Sequence, residues 1–235
     1  MTESMKTNKK LKKVIVTQSH FNHKEADLDI LHFPIISFEQ LDFDKNKLNR
    51  TFDWVVITSK NTVTFFKDYL DQINYKNIAS IGKTTTKALV EAGFKVDFEP
   101  STYTQEGFMQ EFNVDKDMCI LYPASNEKRP LMRNFMVKHD AEVVEIDLYH
   151  PIGNKLSLEG IRNNLYEIDA ITFSSPSGVH VFMQHFDKQD LEGITVATIG
   201  HVTRSALEAY GVLSIMPEQA TLNSMIEMLE KELNE

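Results

Sequence analysis

Four short polar segments and one tyrosine carry the residue types that could do chemistry. Thr58-Ser59-Lys60-Asn61 and Ser174-Ser175-Pro176-Ser177-Gly178 each follow an apolar run and precede an amphipathic one. Small hydroxyl residues at such a place cap the next helix by accepting from its unpaired N–H groups, and Pro176 suits the first helical position, where its missing N–H costs nothing. Capping accounts for at least one hydroxyl in each turn. The same turns could also cradle an anion, because a helix N-terminus gathers N–H donors at the positive end of its dipole. Gly82-Lys83-Thr84-Thr85 and Gly200-His201-Val202-Thr203 form a second pair. Glycine there lets the backbone approach a ligand, and threonine can cap or donate. Neither pair matches the GxGxxG dinucleotide fingerprint or the GxxxxGK[ST] phosphate loop, which counts against nicotinamide or ATP chemistry.

The remaining candidates are thinner. Tyr149 lies in Ile146-Asp147-Leu148-Tyr149-His150-Pro151, after a strand-like run and before a proline, where a tyrosine is more often packing than catalysis. Cys119 opens an apolar strand and reads as core rather than nucleophile. His20 and His23 have HxxH spacing, but no carboxylate or cysteine pattern completes a metal site. Lys128 and Arg129 follow Asn126-Glu127 at an expected helix start and could meet an anion or simply face water. The basic run from Lys9 to Lys13 reads as a solvated lead-in to the first strand.

The elements that must position these residues are short apolar runs alternating with amphipathic helices. Strands are expected at Val14–Thr17, Trp54–Thr58, Ile78–Ile81, Val96–Phe98, Cys119–Tyr122, Val143–Ile146, Ala170–Ser174, Val196–Ile199 and Leu213–Met216. Several are continuously apolar, as parallel strands buried on both faces are. Helical faces are expected from Val63, Phe66 and Leu70, from Val179, Phe182, Met183 and Phe186, and from Leu222, Met225, Ile226 and Leu229. The alternation predicts open parallel α/β sheets. An internal repeat sharpens this. The segment from Asp53 matches that from Asp169 at an offset of 116, Ile81 onward matches Ile199 onward at 118, and Pro100 with Thr104 matches Pro217 with Thr221 at 117. Gly93 and Gly211 fall where each second helix should end in a left-handed cap. Two related halves are expected, with the ligand in the cleft between them.

Bulk properties fit an ordinary globular chain. It has 235 residues, 42% hydrophobic and 25% charged, with one cysteine and a net charge of −9. No intrachain disulfide is possible, no apolar run is long enough to span a bilayer, and residues 1–13 lack the apolar stretch of a secretory signal, so none is expected. A cytoplasmic protein with a disordered tail over residues 1–10 is expected. The acidic balance argues against a nucleic-acid partner.

Taken in order, Val56-Ile57-Thr58-Ser59-Lys60-Asn61-Thr62-Val63, the run from Ser80 to Leu89, the run from Pro100 to Phe108, the segment Glu145–Pro151, the run from Thr172 to Val179 and the run from Thr198 to Leu207 resemble the uroporphyrinogen-III synthase family. The likeness runs through nearly the whole chain from about Lys12. It implies an α/β fold of two flavodoxin-like, doubly wound parallel-sheet domains joined by a two-stranded β connector. One domain would be discontinuous, residues 1–34 plus 153–235; the other would span 41–146; residues 35–40 and 147–152 would connect them. It implies a cyclising lyase that closes hydroxymethylbilane, a linear tetrapyrrole with eight carboxylates, to uroporphyrinogen III, inverting ring D and losing water, with no metal or organic cofactor. A monomer is the default expectation, with no membrane or nucleic-acid partner and at most transient contact with the preceding pathway enzyme. Tyr149 matches the family's active-site tyrosine, and would assist departure of the substrate hydroxyl. Thr58, Ser59, Lys60, Gly82, Thr85, Ser174, Ser175, Ser177, Gly178, Gly200 and Thr203 match substrate-binding positions. This chain departs from the family where Gln18 follows Thr17 in place of a common arginine, and where Tyr122-Pro123-Ala124-Ser125-Asn126 lacks the usual glycine and arginine. Two other classes compete: a non-enzymatic, two-lobe cytoplasmic binding protein for a small polyanion, and a nucleotide-dependent transferase, the latter weakened by the missing phosphate loop.

Overall fold

The computed structural model describes residues 10–19, 21 and 26–235. They form two compact units, one made of the described residues up to Ser37 together with Ile152–Glu235, the other of Phe38–Pro151.

The first unit holds strands β1 (Lys12–Val16), β2 (Leu28–His32), β8 (Ala170–Phe173) and β9 (Thr195–Thr198), and helices α5 (Lys155–Asn164), α6 (Pro176–Met183), α7 (His201–Glu208) and α8 (Leu222–Glu232). Its sheet runs β2-β1-β8-β9, all parallel. The strands are buried on both faces: Ile15, Ile171 and Phe173 pack with α5 and α6, and Val14, Val16 and Ala170 with Met225, Ile226 and Leu229 of α8. That is why they read as apolar runs without alternation.

The second unit holds β4 (Thr51–Ile57), β5 (Asn74–Ser80) and β6 (Cys119–Ser125), with helices α1 (Lys60–Leu70), α2 (Lys83–Glu91), α3 (Gln105–Glu111) and α4 (Leu131–Lys138). β3 (Ile36–Gln40) and β7 (Glu142–Gly153) complete the sheet order β3-β7-β6-β4-β5, and the chain passes between units within each of these two strands. In both sheets the chain reverses its direction of travel at one place: between β1 and β8, and between β4 and β6. Open parallel sheets bind ligands outside the carboxyl ends of their strands at such a switch point.

The duplication is visible in the hydrogen bonds. Asp53 Oδ2 accepts from Cys119 N at 2.9 Å, and Asp169 Oδ2 accepts from Lys13 N at 2.8 Å, so one aspartate staples the start of the neighbouring strand in each unit. Gly93 and Gly211 take φ of 93° and 73°. Phe94 N to Leu89 O and Val212 N to Leu207 O close both helix ends in the same way, as the left-handed cap requires.

Two expected strands are not formed. Val96–Phe98 and Leu213–Met216 contribute only single parallel bridges, Ala79 with Phe98 and Ala197 with Ile215. Pro100 and Pro217 follow closely and cannot donate to a ladder, which stops pairing at the sheet edge. Conversely β2, with Asp29 and His32 in it, gave too weak an apolar signal to be expected. The helix after β6 begins at Leu131, beyond Lys128 and Arg129, because Pro130 takes the N-cap.

Candidate functional site

In the second unit the candidate residues gather at the switch point. β4 ends at Ile57, and Ser59 becomes the N-cap of α1, its Oγ accepting from Thr62 N at 3.1 Å. The same Oγ lies 3.0 Å from Thr62 Oγ1 and 2.9 Å from Tyr149 Oη. A β-bulge puts Tyr149 there. In the β6–β7 ladder Ala124 pairs with Asp147, but Ser125 pairs with Tyr149, so Leu148 is an extra residue. Without it, Tyr149 would point to the same face as exposed Asp147; with it, Leu148 and Tyr149 are both buried against the α1 side. Bulges commonly re-aim a side chain beside a functional site. The ring is clamped by Phe65, stacked at 5.4 Å and 28°, and by Phe38, edge-on at 5.5 Å and 89°. Only the hydroxyl has a polar partner, and it meets the positive end of α1 through Ser59.

Thr58 takes the other face. It lies beside Tyr122, whose phenol burial pushes up to about 12, the Thr58 hydroxyl opposing that shift. Lys60 is exposed at the first position of α1. The backbone bond from Ile81 N to Ile57 O, 3.2 Å, ties the next turn alongside. Gly82 there has a φ of 86°, which favours glycine, and no side chain caps α2. Thr85 is only 2% exposed beneath the first turn, while Lys83 and Thr84 stand in solvent.

The first unit repeats the plan. Ser175 caps α6, accepting from Gly178 N at 3.1 Å and contacting Ser177 Oγ at 3.0 Å. Ser174 precedes it at the end of β8, and Pro176 occupies the first turn as expected. Ile199 N donates to Phe173 O at 3.0 Å, bringing the second turn alongside. Gly200 is extended, at φ −173°, and α7 likewise has no side-chain cap. Thr203 is 3% exposed. In both units, then, the serine turn is capped from within and the glycine turn leaves its helix N-terminus open.

Other candidates are accounted for by the protein itself. Lys128 is 11% exposed and paired with Asp147 and Glu145, and Arg129 is paired with Glu106. Burial raises the Cys119 thiol, against the nearby Arg50, so it is poorly suited to act as a nucleophile. His20 and His23 lie outside the described residues. Among the described residues no cluster of His, Cys, Asp and Glu could hold a metal ion, and no helix is long and apolar enough to cross a membrane. A surface cavity of about 670 Å³ in the second unit, lined by Asp42, Lys47, Arg50, Arg133 and Glu145 among others, contains none of the candidate residues. Sequence reasoning missed Thr62, Tyr122 and the Phe38–Phe65 clamp. Thr62 alone had a signal, three residues after a capping serine.

The family model for uroporphyrinogen-III synthase HemD matches residues 20–227. The chain belongs to the uroporphyrinogen-III synthase HemD family. Among similar proteins, the porphyrin biosynthesis protein HemD of Ruminiclostridium josui is 27% identical over 77% of this chain, and the match spans 38% of that protein's length. The uroporphyrinogen-III synthase of Chlorobaculum parvum is 24% identical over 71% of this chain and 74% of its own. In fold, the chain is similar to the crystal structure of uroporphyrinogen-III synthetase from Helicobacter pylori, with a TM-score of 0.65, 19% identity and coverage of 94% of this chain and 100% of that one. Family membership does not favour the non-enzymatic binding protein.

Proposed function

We propose that this chain carries out its family's reaction, closing hydroxymethylbilane to uroporphyrinogen III with inversion of ring D and loss of water. The observation that carries the reading is the placement of Tyr149. A bulge turns its hydroxyl onto the capped N-terminus of α1, 2.9 Å from Ser59 Oγ. A phenol so held can give a proton to the departing substrate hydroxyl, directly or through a water. The Ser59 hydroxyl holds the phenol oxygen in place through that transfer. The phenolate left behind takes a proton back when the reacting pyrrole regains aromaticity.

The substrate's carboxylates need donors, and the net charge of −9 supplies no general attraction. Helix N-termini bind carboxylates without net positive charge. In this reading Gly82, Thr85, Gly200 and Thr203 offer open helix ends. Thr58, Ser59, Lys60, Ser174, Ser175, Ser177 and Gly178 add hydroxyl, ammonium and amide donors. The substrate can also close unaided to the wrong isomer, so the main task is holding one conformer; positioning of this kind can supply roughly 7–11 kcal/mol. Two doubly wound domains joined through β3 and β7 complete the reading.

The test is the product isomer. Fresh hydroxymethylbilane incubated with the protein, with no metal or nucleotide added, should give the type III isomer on chromatography after oxidation. Type I alone at every protein concentration would defeat the proposal.

A further inference from the structure

Tyr122 has no part in the reaction as described, yet its hydroxyl is unusual. The residue is 0% exposed on β6, and its Oη has no hydrogen-bond partner. Buried hydroxyls are nearly always paired, because an unpaired one loses its water without compensation. Phenylalanine would fill the same space among Val56, Phe108, Ile120 and Met132 without that cost. An unsatisfied buried polar group in a folded protein calls for an explanation, and a functional role is one of the few available.

The sheet register says what the hydroxyl faces. β4 and β6 pair with Trp54 opposite Ile120 and Val55 opposite Leu121. Continuing the ladder puts Val56 beside Tyr122 and Thr58 two residues further along the same face, at the carboxyl end of β4. Thr58 lies within reach of Tyr122 Oη, but no bond of good geometry closes between them. A threonine hydroxyl has one proton to give and two sites to accept. A phenol aimed at one of those sites leaves the proton free for a ligand.

We propose that Tyr122 is a positioning residue for substrate binding: its hydroxyl donates to Thr58 Oγ1, so that the Thr58 hydroxyl donates outward to a substrate carboxylate. This rests on the reading that Thr58 holds such a carboxylate. The bond is latent in the free protein and closes when the ligand turns the Thr58 hydroxyl. Each link then polarises the next.

The experiment is a double-mutant cycle of Tyr122→Phe and Thr58→Val, read as KM and kcat for hydroxymethylbilane with thermal unfolding alongside. Tyr122→Phe should raise KM about fivefold to tenfold, the factor expected for one lost hydrogen bond. It should leave kcat nearly unchanged and the unfolding midpoint at or above wild type. In the Thr58→Val background, Tyr122→Phe should have no further effect. An unchanged KM in Tyr122→Phe, or effects that multiply in the double variant, would overturn the proposal. The cycle decides this even if Tyr122→Phe lowers stability, because a purely structural loss does not depend on the Thr58 hydroxyl. Wild-type protein that yields only type I product defeats the functional reading instead, so the two failures are told apart.

Discussion

Replacing Ser59 with alanine should cost the protein about twice what the matching change costs in the other unit. Ser59 Oγ accepts from Thr62 N and also bonds Tyr149 Oη. Losing an N-cap costs about 1 kcal/mol, and losing a largely buried neutral hydrogen bond costs about 1 kcal/mol more. Ser175 caps α6 in the same way, but its further contact is with exposed Ser177, so Ser175→Ala should lose only the cap. The difference, about 1 kcal/mol, isolates the tyrosine bond. Urea unfolding of both variants and of Tyr149→Phe, followed by far-UV dichroism, measures it. On heating, Ser59→Ala should melt about 4–8 °C lower and Ser175→Ala about 2–4 °C lower. In the cycle of Ser59→Ala with Tyr149→Phe, a coupling of about 0.5–1 kcal/mol is expected, since the two side chains touch. Equal losses in Ser59→Ala and Ser175→Ala, together with additive effects in that cycle, would refute the view that the bulge aims Tyr149 at the α1 cap.

Three further outcomes are expected. Tyr149→Phe should lower kcat for type III product by more than it raises KM; equal loss in both would mean the ring only packs. Gly82→Ala should cost about 1–2 kcal/mol in urea unfolding, because its φ of 86° disfavours any Cβ. Gly200→Ala should be nearly neutral, since its backbone is extended and an added Cβ meets Ala220 at an ordinary 3.7 Å. Asp53 is held below the usual carboxylate range, first by Lys76 and then by the Cys119 amide. With a folded pKa below its unfolded one, its contribution is complete above the ordinary Asp value and is lost as pH falls through the folded value. Asp53→Asn should therefore weaken the protein at neutral pH and flatten the acid limb of stability against pH. A wild-type slope unchanged in the variant would show that the staple is not what titrates.

Much of this architecture was legible because parallel strands buried on both faces must be apolar throughout, and Val14, Val55, Ile120, Ile171 and Val196 announce it. The serine caps were legible too, since a small hydroxyl before an amphipathic run has few other uses. What could not be read was register. The extra residue at Leu148 leaves no mark in composition, yet it alone decides whether Tyr149 faces the helix or the solvent. The orphaned hydroxyl of Tyr122 was hidden for the same reason: a tyrosine in an apolar strand looks like packing until its neighbours are known. The edge segments before Pro100 and Pro217 erred in the other direction, since β-rich composition cannot reveal that a proline will end the ladder.

Duplication turns the two units into controls for each other, and the comparison bears on where the chemistry lies. The stapling aspartates align β4 with β8 and β6 with β1, so Tyr122 corresponds to Val16, Thr62 to Gly178 and, through the strand pairings, Tyr149 to Ile35. In the first unit a Cβ added at Gly178 would meet Ile35 Cγ2 at 3.3 Å, so the place where Tyr149 meets the α1 cap is filled there by an aliphatic side chain against glycine. Both units keep the stapling aspartate, the capping serine and the open glycine turn, which any carboxylate-binding sheet of this kind could use. Among the described residues, only the second has a tyrosine on each face of its switch point, one bonded to the cap and one unpaired. An unpaired buried phenol works against stability, and it occurs in the unit that holds Tyr149. Under the proposed function, this asymmetry assigns proton transfer through Tyr149 and positioning through Tyr122 to the second unit, while the serine and glycine turns shared by both units supply donors for carboxylates.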